Sequence, residues 1–172
     1  MPAGIVLQER DSYFEVTGET AEELHAALLE RGPTIEGVPL FACTEWAVRW
    51  RLEQAPARGE CRLRRLEVEL VVNTVLPRWP GEARAPTALR SQWAAFVAAL
   101  RIHERGHRDL GARAASEALA ALRSWRSARC GSLAEADAAA QRAVGRYRVR
   151  TIEYDRETRY GRTQGVAWPP PG

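Results

Sequence analysis

The longest regular pattern in the sequence runs from Thr87 to about Trp125, where apolar or small residues recur at Leu89, Trp93, Phe96, Leu100, Leu110 and Ala114. Steps of three and four place these residues on one side of an α-helix, a side that must be covered by other parts of the chain. His103 and His107 fall in register on the same stripe, so they point into the protein rather than at bulk water. Between them the chain reads His103-Glu104-Arg105-Gly106-His107, the pattern H-E-x-x-H. Two histidines one helical turn apart can hold one zinc ion, and the glutamate beside the first can take a proton from an attacking water. The chain has only three histidines, and two of them stand here. The competing reading is a pair of hydrogen-bonded core histidines, which would need neither the glutamate nor the helical flanks.

The segments before this helix read as strands and one short helix. Gly4–Leu7 and Ser12–Thr17 are extended candidates around a polar turn at Gln8–Asp11. A helix follows over Ala21–Arg31, with Thr20 and Glu23 as a capping box and Gly32-Pro33 as its stop. His25 lies in this helix with no histidine or cysteine near it in sequence, which suits a surface or packing residue. Thr44, Trp46, Val48, Trp50 and Leu52 then alternate with charged residues, as do Leu66, Val68, Leu70 and Val72. These two half-buried strands form a long hairpin whose loop is Gln54–Glu60, and Pro77-Arg78-Trp79-Pro80 ends the second.

After the long helix, capped by Thr87, Cys130-Gly131 breaks the chain. Ser132 and Glu135 form a second capping box, opening a helix to about Tyr154 with Leu133, Ala136, Ala140, Val144, Tyr147 and Thr151 on one side. The expected class is α+β, a small antiparallel sheet packed against two long helices, the first carrying H-E-x-x-H, in a single domain over residues 1–172.

Composition narrows the function classes. Apolar content of 45% and charged content of 27% are those of an ordinary globular protein long enough to bury a real core. The net charge is +3 and every basic residue is arginine, scattered among acids without a basic block, so nucleic acid is not an expected partner. No apolar run reaches the roughly eighteen residues needed to span a membrane. Residues 1–10 lack the form of a signal peptide, which leaves an intracellular protein or a mature exported one. The cysteines, Cys43, Cys61 and Cys130, show no C-x-x-C spacing, and their count fits either one disulfide or three reduced thiols.

Zinc with two histidines needs a third protein ligand and keeps its fourth position for water. The candidate segment is Tyr154-Asp155-Arg156-Glu157-Thr158-Arg159-Tyr160-Gly161. His107 lies about 23 residues before the break at Cys130-Gly131 and Asp155 about 24 after it, so an antiparallel helix pair would bring them to a similar height. Asp155 is the first choice of ligand, with Tyr160 the alternative. Equally, Asp155 could be a helix-end carboxylate paired with Arg156 or Arg159.

These stretches resemble a bacterial family described as predicted secreted zinc-dependent proteases, the domain of unknown function 922. The resemblance rests on Tyr13-Phe14-Glu15-Val16 leading to Gly18, Thr44-x-Trp46, Cys61, and Leu76-Pro77-x-Trp79. It continues through Trp93, His103-Glu104-x-Gly106-His107, Cys130 and the closing Tyr154-Asp155-x-x-Thr158-x-Tyr160-Gly161-x-x-Gln164-Gly165. It implies a zincin-like fold, Zn2+ as cofactor, a protein or peptide substrate, and a secreted or periplasmic location. The family commonly has histidine where this chain has Tyr160. A second zincin group, the aspzincins, completes H-E-x-x-H with an aspartate and a nearby tyrosine-glycine pair. By that analogy Asp155 ligates zinc, Glu104 is general base, and Tyr160 donates to the oxyanion of the tetrahedral intermediate. The rival class is a catalytically inactive module of the same shape that binds a protein or cell-envelope partner. Cys61 and Cys130 fall within the family pattern and Cys43 does not, so the resemblance points to a 61–130 bridge, Cys43 remaining a free thiol.

Overall fold

The computed structural model describes residues 4–55, 62–127 and 132–170. Its order is β1 (Ile5–Glu15), α1 (Ala21–Arg31), β2 (Thr34–Ile35), β3 (Val38–Pro39), β4 (Cys43–Ala55), β5 (Arg62–Arg78), α2 (Thr87–Ser127) and α3 (Leu133–Thr158), with one-turn 3-10 helices at Glu82–Arg84 and Arg162–Gln164. The class is α+β, with a three-stranded sheet in the order β1-β5-β4, a small β2-β3 ribbon and three helices among the described residues. No helix among these residues is long and apolar enough to cross a membrane.

Local signals set the helix ends. Thr20 Oγ1 accepts from Glu23 N at 3.2 Å, while the Glu23 carboxylate reaches back to Glu19 N at 2.7 Å. Ser132 and Glu135 satisfy each other's backbone N–H groups reciprocally, at 3.3 and 2.9 Å. Thr87, however, is the first helical residue of α2 rather than its cap, since Arg90 N already bonds to Pro86 O. The third helix also runs one turn past Tyr154, to Thr158, so Asp155 stands on the helix and not in a following loop.

Three strand expectations are corrected. β1 is one continuous strand through the polar stretch read as a turn. It is the edge of the sheet and largely exposed, so its polar residues face solvent or pair sideways: Gln8 with Glu69, Glu9 with Arg108, and Ser12 Oγ with Thr74 O. A wet edge strand carries no apolar alternation to announce itself. The sheet is also mixed rather than antiparallel. Contacts between β4 and β5 run in opposite directions along the chain, Thr44 with Thr74, Arg49 with Glu69 and Glu53 with Arg65. Contacts between β1 and β5 climb together, Gln8 with Glu69, Ser12 with Thr74 and Val16 with Arg78, as parallel neighbours must. β5 itself continues through Pro77 to Arg78 before it ends.

The chain forms two compact units, and the long strands and helices each contribute a length to both. In the unit of residues 1–9, 46–72 and 108–153, one face of β5 (Val68, Leu70, Val72) packs on Ala115, Ala118, Leu119 and Leu122 of α2 and on Ala136, Ala140 and Val144 of α3. Alternation on the strand and small residues on the helices make this close layer packing possible. Trp46 of β4 lies against α2 where residue 111 is glycine; a Cβ there would come within 2.8 Å of the indole.

The unit of residues 10–45, 73–107 and 154–172 is built on aromatic rings. Trp93 of α2 meets Trp79 and Trp168 edge-on with centroids 5.7 and 5.4 Å apart, and Phe96 packs on Phe41 and Trp168. The buried indoles keep partners, Trp79 Nε1 donating to Gly18 O and Trp168 Nε1 to Ala21 O. His25 packs edge-on against Phe41. Cys43 is a free thiol; Cys61, Cys130, most of the expected Gln54–Glu60 loop and the Cys130-Gly131 break lie outside the described residues.

Two helix glycines should respond to alanine with opposite signs. At Gly145 a Cβ meets nothing within 4 Å, so Gly145→Ala gains helix propensity of about 1 kcal/mol. At Gly111 the same gain is outweighed by overlap with Trp46, and Gly111→Ala should lose about 1–3 kcal/mol net. Urea unfolding of both variants checks this, and a stabilised Gly111→Ala would contradict the packing described.

Candidate metal centre

The motif lies within α2, and continuing the Leu89-Trp93-Phe96-Leu100 stripe by one turn carries the helix from aromatic core to ionisable groups. His103, Glu104 and His107 are about 5% exposed or only slightly more, as buried as the leucines before them. Burying three such groups costs several kcal/mol per charge unless each finds a partner or a counter-ion.

The partner arrives from α3. Its last turn places Asp155 Oδ1 3.2 Å from His103 Nε2 and 2.9 Å from His107 Nε2, while the two Nε2 atoms are 3.3 Å apart. Every residue of this cluster belongs to the unit of residues 10–45, 73–107 and 154–172. These three side chains are the group among the described residues that could hold a metal ion. Four-coordinate zinc, with bonds of about 2.0–2.1 Å to nitrogen, sets neighbouring donors about 3.3 Å apart. The observed triangle is close to one face of such a tetrahedron, and imidazole nitrogens with a carboxylate oxygen are a donor set zinc accepts.

Tyr154 completes the packing beneath the imidazoles. Its ring stacks on His103 at 5.1 Å and 12°, and stands edge-on to His107 at 5.1 Å. Gly106 is what admits it, because a Cβ at that position would lie 2.1 Å from the Tyr154 hydroxyl. The glycine inside H-E-x-x-H therefore answers to a close approach between two helices. Beyond Thr158 the backbone turns left-handed at Arg159, Tyr160 and Gly161, with φ of 51°, 55° and 79°. Tyr160 N closes on Asp155 O at 2.7 Å, and Gly161 N on Thr158 Oγ1 at 3.2 Å. This reversal brings Gln164 back over the site, its Oε1 3.0 Å from His103 Nδ1. Tyr160 itself is 65% exposed, with its ring outside the packed cluster.

Glu104 is held from the strand side. Thr44 of β4 and Thr74 of β5, buried threonines on otherwise apolar strand faces, bond to each other at 3.1 Å, and the Thr44 hydroxyl lies near enough to the Glu104 carboxylate to draw its pKa down. The second oxygen, Oε2, is buried without a hydrogen-bond partner among the described residues, as is His107 Nδ1. Burial pushes the Glu104 carboxyl up from its ordinary value, against the Thr44 hydroxyl and the nearby imidazoles, which pull it down. Burial would raise Asp155 too, but hydrogen bonds from His103 and His107 outweigh it and hold that carboxyl at about 2. For His103 burial acts downward, and the bonds to Asp155 and Gln164 prevail, leaving its pKa raised.

Of the residues singled out in the sequence, the structure brings His103, Glu104, His107 and Asp155 together and leaves the Tyr160 ring at the surface. The sequence reading gave no role to Tyr154, Gln164 or Thr44. Two of these left a trace in the apolar pattern: Thr44 is a hydroxyl on an apolar stripe, and Tyr154 extends the α3 stripe one turn beyond Thr151. Gln164 sits in a one-turn 3-10 helix with no periodic pattern, and its only trace was its place in the family motif.

Residues 11–161 match the model of a family described as "Bacterial protein of unknown function (DUF922)". No curated protein and no solved structure matches the chain.

Three pKa shifts in the cluster set how metal-free protein should respond to pH. Glu104, raised from 4.5, contributes most below that value and loses its share as pH rises through its higher folded value. Asp155, lowered from 3.8, contributes stability above that value and loses it as pH falls through about 2. His103, raised from 6.5, contributes fully below that value and loses its share as pH rises through the higher folded value. Chelated protein should therefore draw most from the cluster above 3.8 and below the raised Glu104 value, and progressively less as pH rises through the Glu104 and His103 values. Metal ligation needs neutral imidazole and has the opposite slope, so zinc should raise Tm more at about pH 8 than at about pH 5.5. Thermal melts with EDTA or one equivalent of zinc at both pH values test this; an equal increment at both would contradict it.

Proposed function

The chain belongs to the DUF922 family of bacterial proteins, and from that premise we propose that it is a zinc-dependent endopeptidase of the zincin class, its metal held by His103, His107 and Asp155. The observation that carries the reading is the triangle of three donor atoms, 2.9–3.3 Å apart, beside a buried glutamate with one unpartnered oxygen. Three lone pairs at that separation call for a proton or a cation between them. Zinc, when bound, supplies Lewis acidity toward a carbonyl oxygen and lowers the pKa of water toward neutrality.

The chain's own residues do the rest. Glu104 Oε2, free of other partners, receives the proton of the attacking water and passes it to the leaving amine. A carboxylate raised by burial is better matched to that double task than an exposed one, which holds a proton poorly near neutral pH. Thr44, steadied by its bond to Thr74, offers its hydroxyl to the glutamate and tempers the rise in its pKa. Tyr160, exposed on the turn that follows Asp155, is assigned the oxyanion-donor role by analogy with the aspzincins. Protein or peptide is the substrate class. The same reading places the protein outside the cytoplasm, secreted or periplasmic, with Cys61 and Cys130 bridged.

Purified protein should contain about one zinc per chain and cleave members of a broad peptide library. Glu104→Gln should keep the zinc and lose roughly 10²–10⁴-fold in cleavage rate, and Tyr160→Phe should also keep it while losing roughly 10²-fold or more. Asp155→Ala should lose zinc affinity itself, read by competition with a chromogenic chelator. Wild type that takes up no zinc refutes the proposal, and zinc uptake with no cleavage of any peptide would turn it into the non-catalytic module. Non-reducing peptide mapping of protein from an oxidising host should recover a 61–130 peptide pair; a 43–61 pair or none would refute that part.

A further inference from the structure

We propose that Gln164 is a positioning residue for the metal centre, which, through Tyr154, fixes the tautomer of His103 so that Nε2 offers a lone pair to the metal. Its bearing on metal affinity rests on the reading of His103 as a ligand; the tautomer assignment does not.

The direction of every bond follows from one group that can only accept. Tyr154 Oη lies 3.2 Å from the backbone oxygen of His103, and a carbonyl has no hydrogen to give, so the single phenolic hydrogen points there. The hydroxyl can then only accept from Gln164. Its contact with Gln164 Nε2 is 2.9 Å, against 3.4 Å to Oε1, which is the orientation this requires. With the amide nitrogen committed to Tyr154, Oε1 is the atom that faces His103 Nδ1 at 3.0 Å. An acceptor at that place demands a hydrogen on Nδ1. Asp155 Oδ1 also faces Nε2, at 3.2 Å, but His107 Nε2 lies closer to it at 2.9 Å and its Nδ1 has no partner among the described residues, so His107 supplies that carboxylate's hydrogen. In the neutral His103 ring the hydrogen then stays on Nδ1 and Nε2 carries the lone pair. The His103 main chain thus selects the tautomer of its own ring through two side chains.

The fold supplies what this relay needs. Gly106 lets the Tyr154 ring lie against α2 close enough to stack on His103. The left-handed run Arg159-Tyr160-Gly161 returns the chain so that Gln164 lies over the ring, and a Cβ at Gly161 would press on His103 Cγ at 3.1 Å and on Val166 at 2.6 Å. A reversed amide would donate from Nε2 to Nδ1, drive the hydrogen to Nε2 and spoil that nitrogen as a ligand. Tyr154 is what excludes it.

Long-range ¹H–¹⁵N NMR of metal-free protein, at alkaline pH where the ring is neutral, should find the His103 hydrogen on Nδ1. Gln164→Met should give mixed tautomers and bind zinc about 10- to 100-fold more weakly. Gln164→Glu, which keeps an acceptor, should restore both the Nδ1–H form and most of the affinity. Wild type with its hydrogen on Nε2 overturns the proposal, as does a folded Gln164→Met that keeps the wild-type tautomer, whatever its affinity. If wild type shows the Nδ1–H form yet takes up no zinc, the metal reading fails while the relay stands. If zinc binds and the tautomer ignores residue 164, the relay fails and the metal centre stands.

Discussion

Asp155 Oδ1 faces two imidazole nitrogens at 3.2 and 2.9 Å inside a largely buried setting, and much of the surrounding structure exists to permit that meeting. Buried ionisable groups are costly, by several kcal/mol each after relaxation. Structural zinc in small domains returns about 10–16 kcal/mol at neutral pH, enough to offset a cluster of this kind. Without metal, the cluster meets part of the cost internally, through the low carboxyl of Asp155 and the raised imidazole of His103. Burial that would merely be a liability elsewhere is the source of the raised Glu104 carboxyl here.

Neighbouring parts of the fold are arranged around this one requirement. The aromatic cluster of Trp79, Trp93, Phe96 and Trp168 fixes the α2 segment immediately before the motif, so the histidines inherit their inward direction from the core. Across the helix pair, Gly106 gives up about 1 kcal/mol of helix propensity to admit Tyr154. Three consecutive left-handed residues end α3, two of them not glycine, an arrangement worth about 1–3 kcal/mol of strain per residue where side chains resist it. The return is a chain reversal tight enough to set Gln164 on His103. From the sheet, Thr44 and Thr74 replace two apolar positions by hydroxyls where Glu104 needs a partner. Each departure from the locally preferred residue occurs where a side chain of the cluster must be reached.

What the sequence determined by itself was whatever repeats along one element. The stripe of α2 gave the helix and the inward direction of His103 and His107, because a period of 3.6 is visible without knowing what covers it. Capping residues gave the start of α3 and the whole of α1 for the same local reason. Equal chain lengths on either side of the helix break were enough to nominate Asp155. Tertiary structure alone decided the remainder. β1 pairs parallel to β5 through polar contacts that have no pattern along the strand. Which tyrosine meets the histidines depended on α3 running one turn further, which put Tyr154 against Gly106 and left the Tyr160 ring in solvent. Gln164 reaches His103 only because the backbone reverses at Arg159-Tyr160-Gly161, and a left-handed turn built partly from non-glycine residues is imposed by packing, not by local preference.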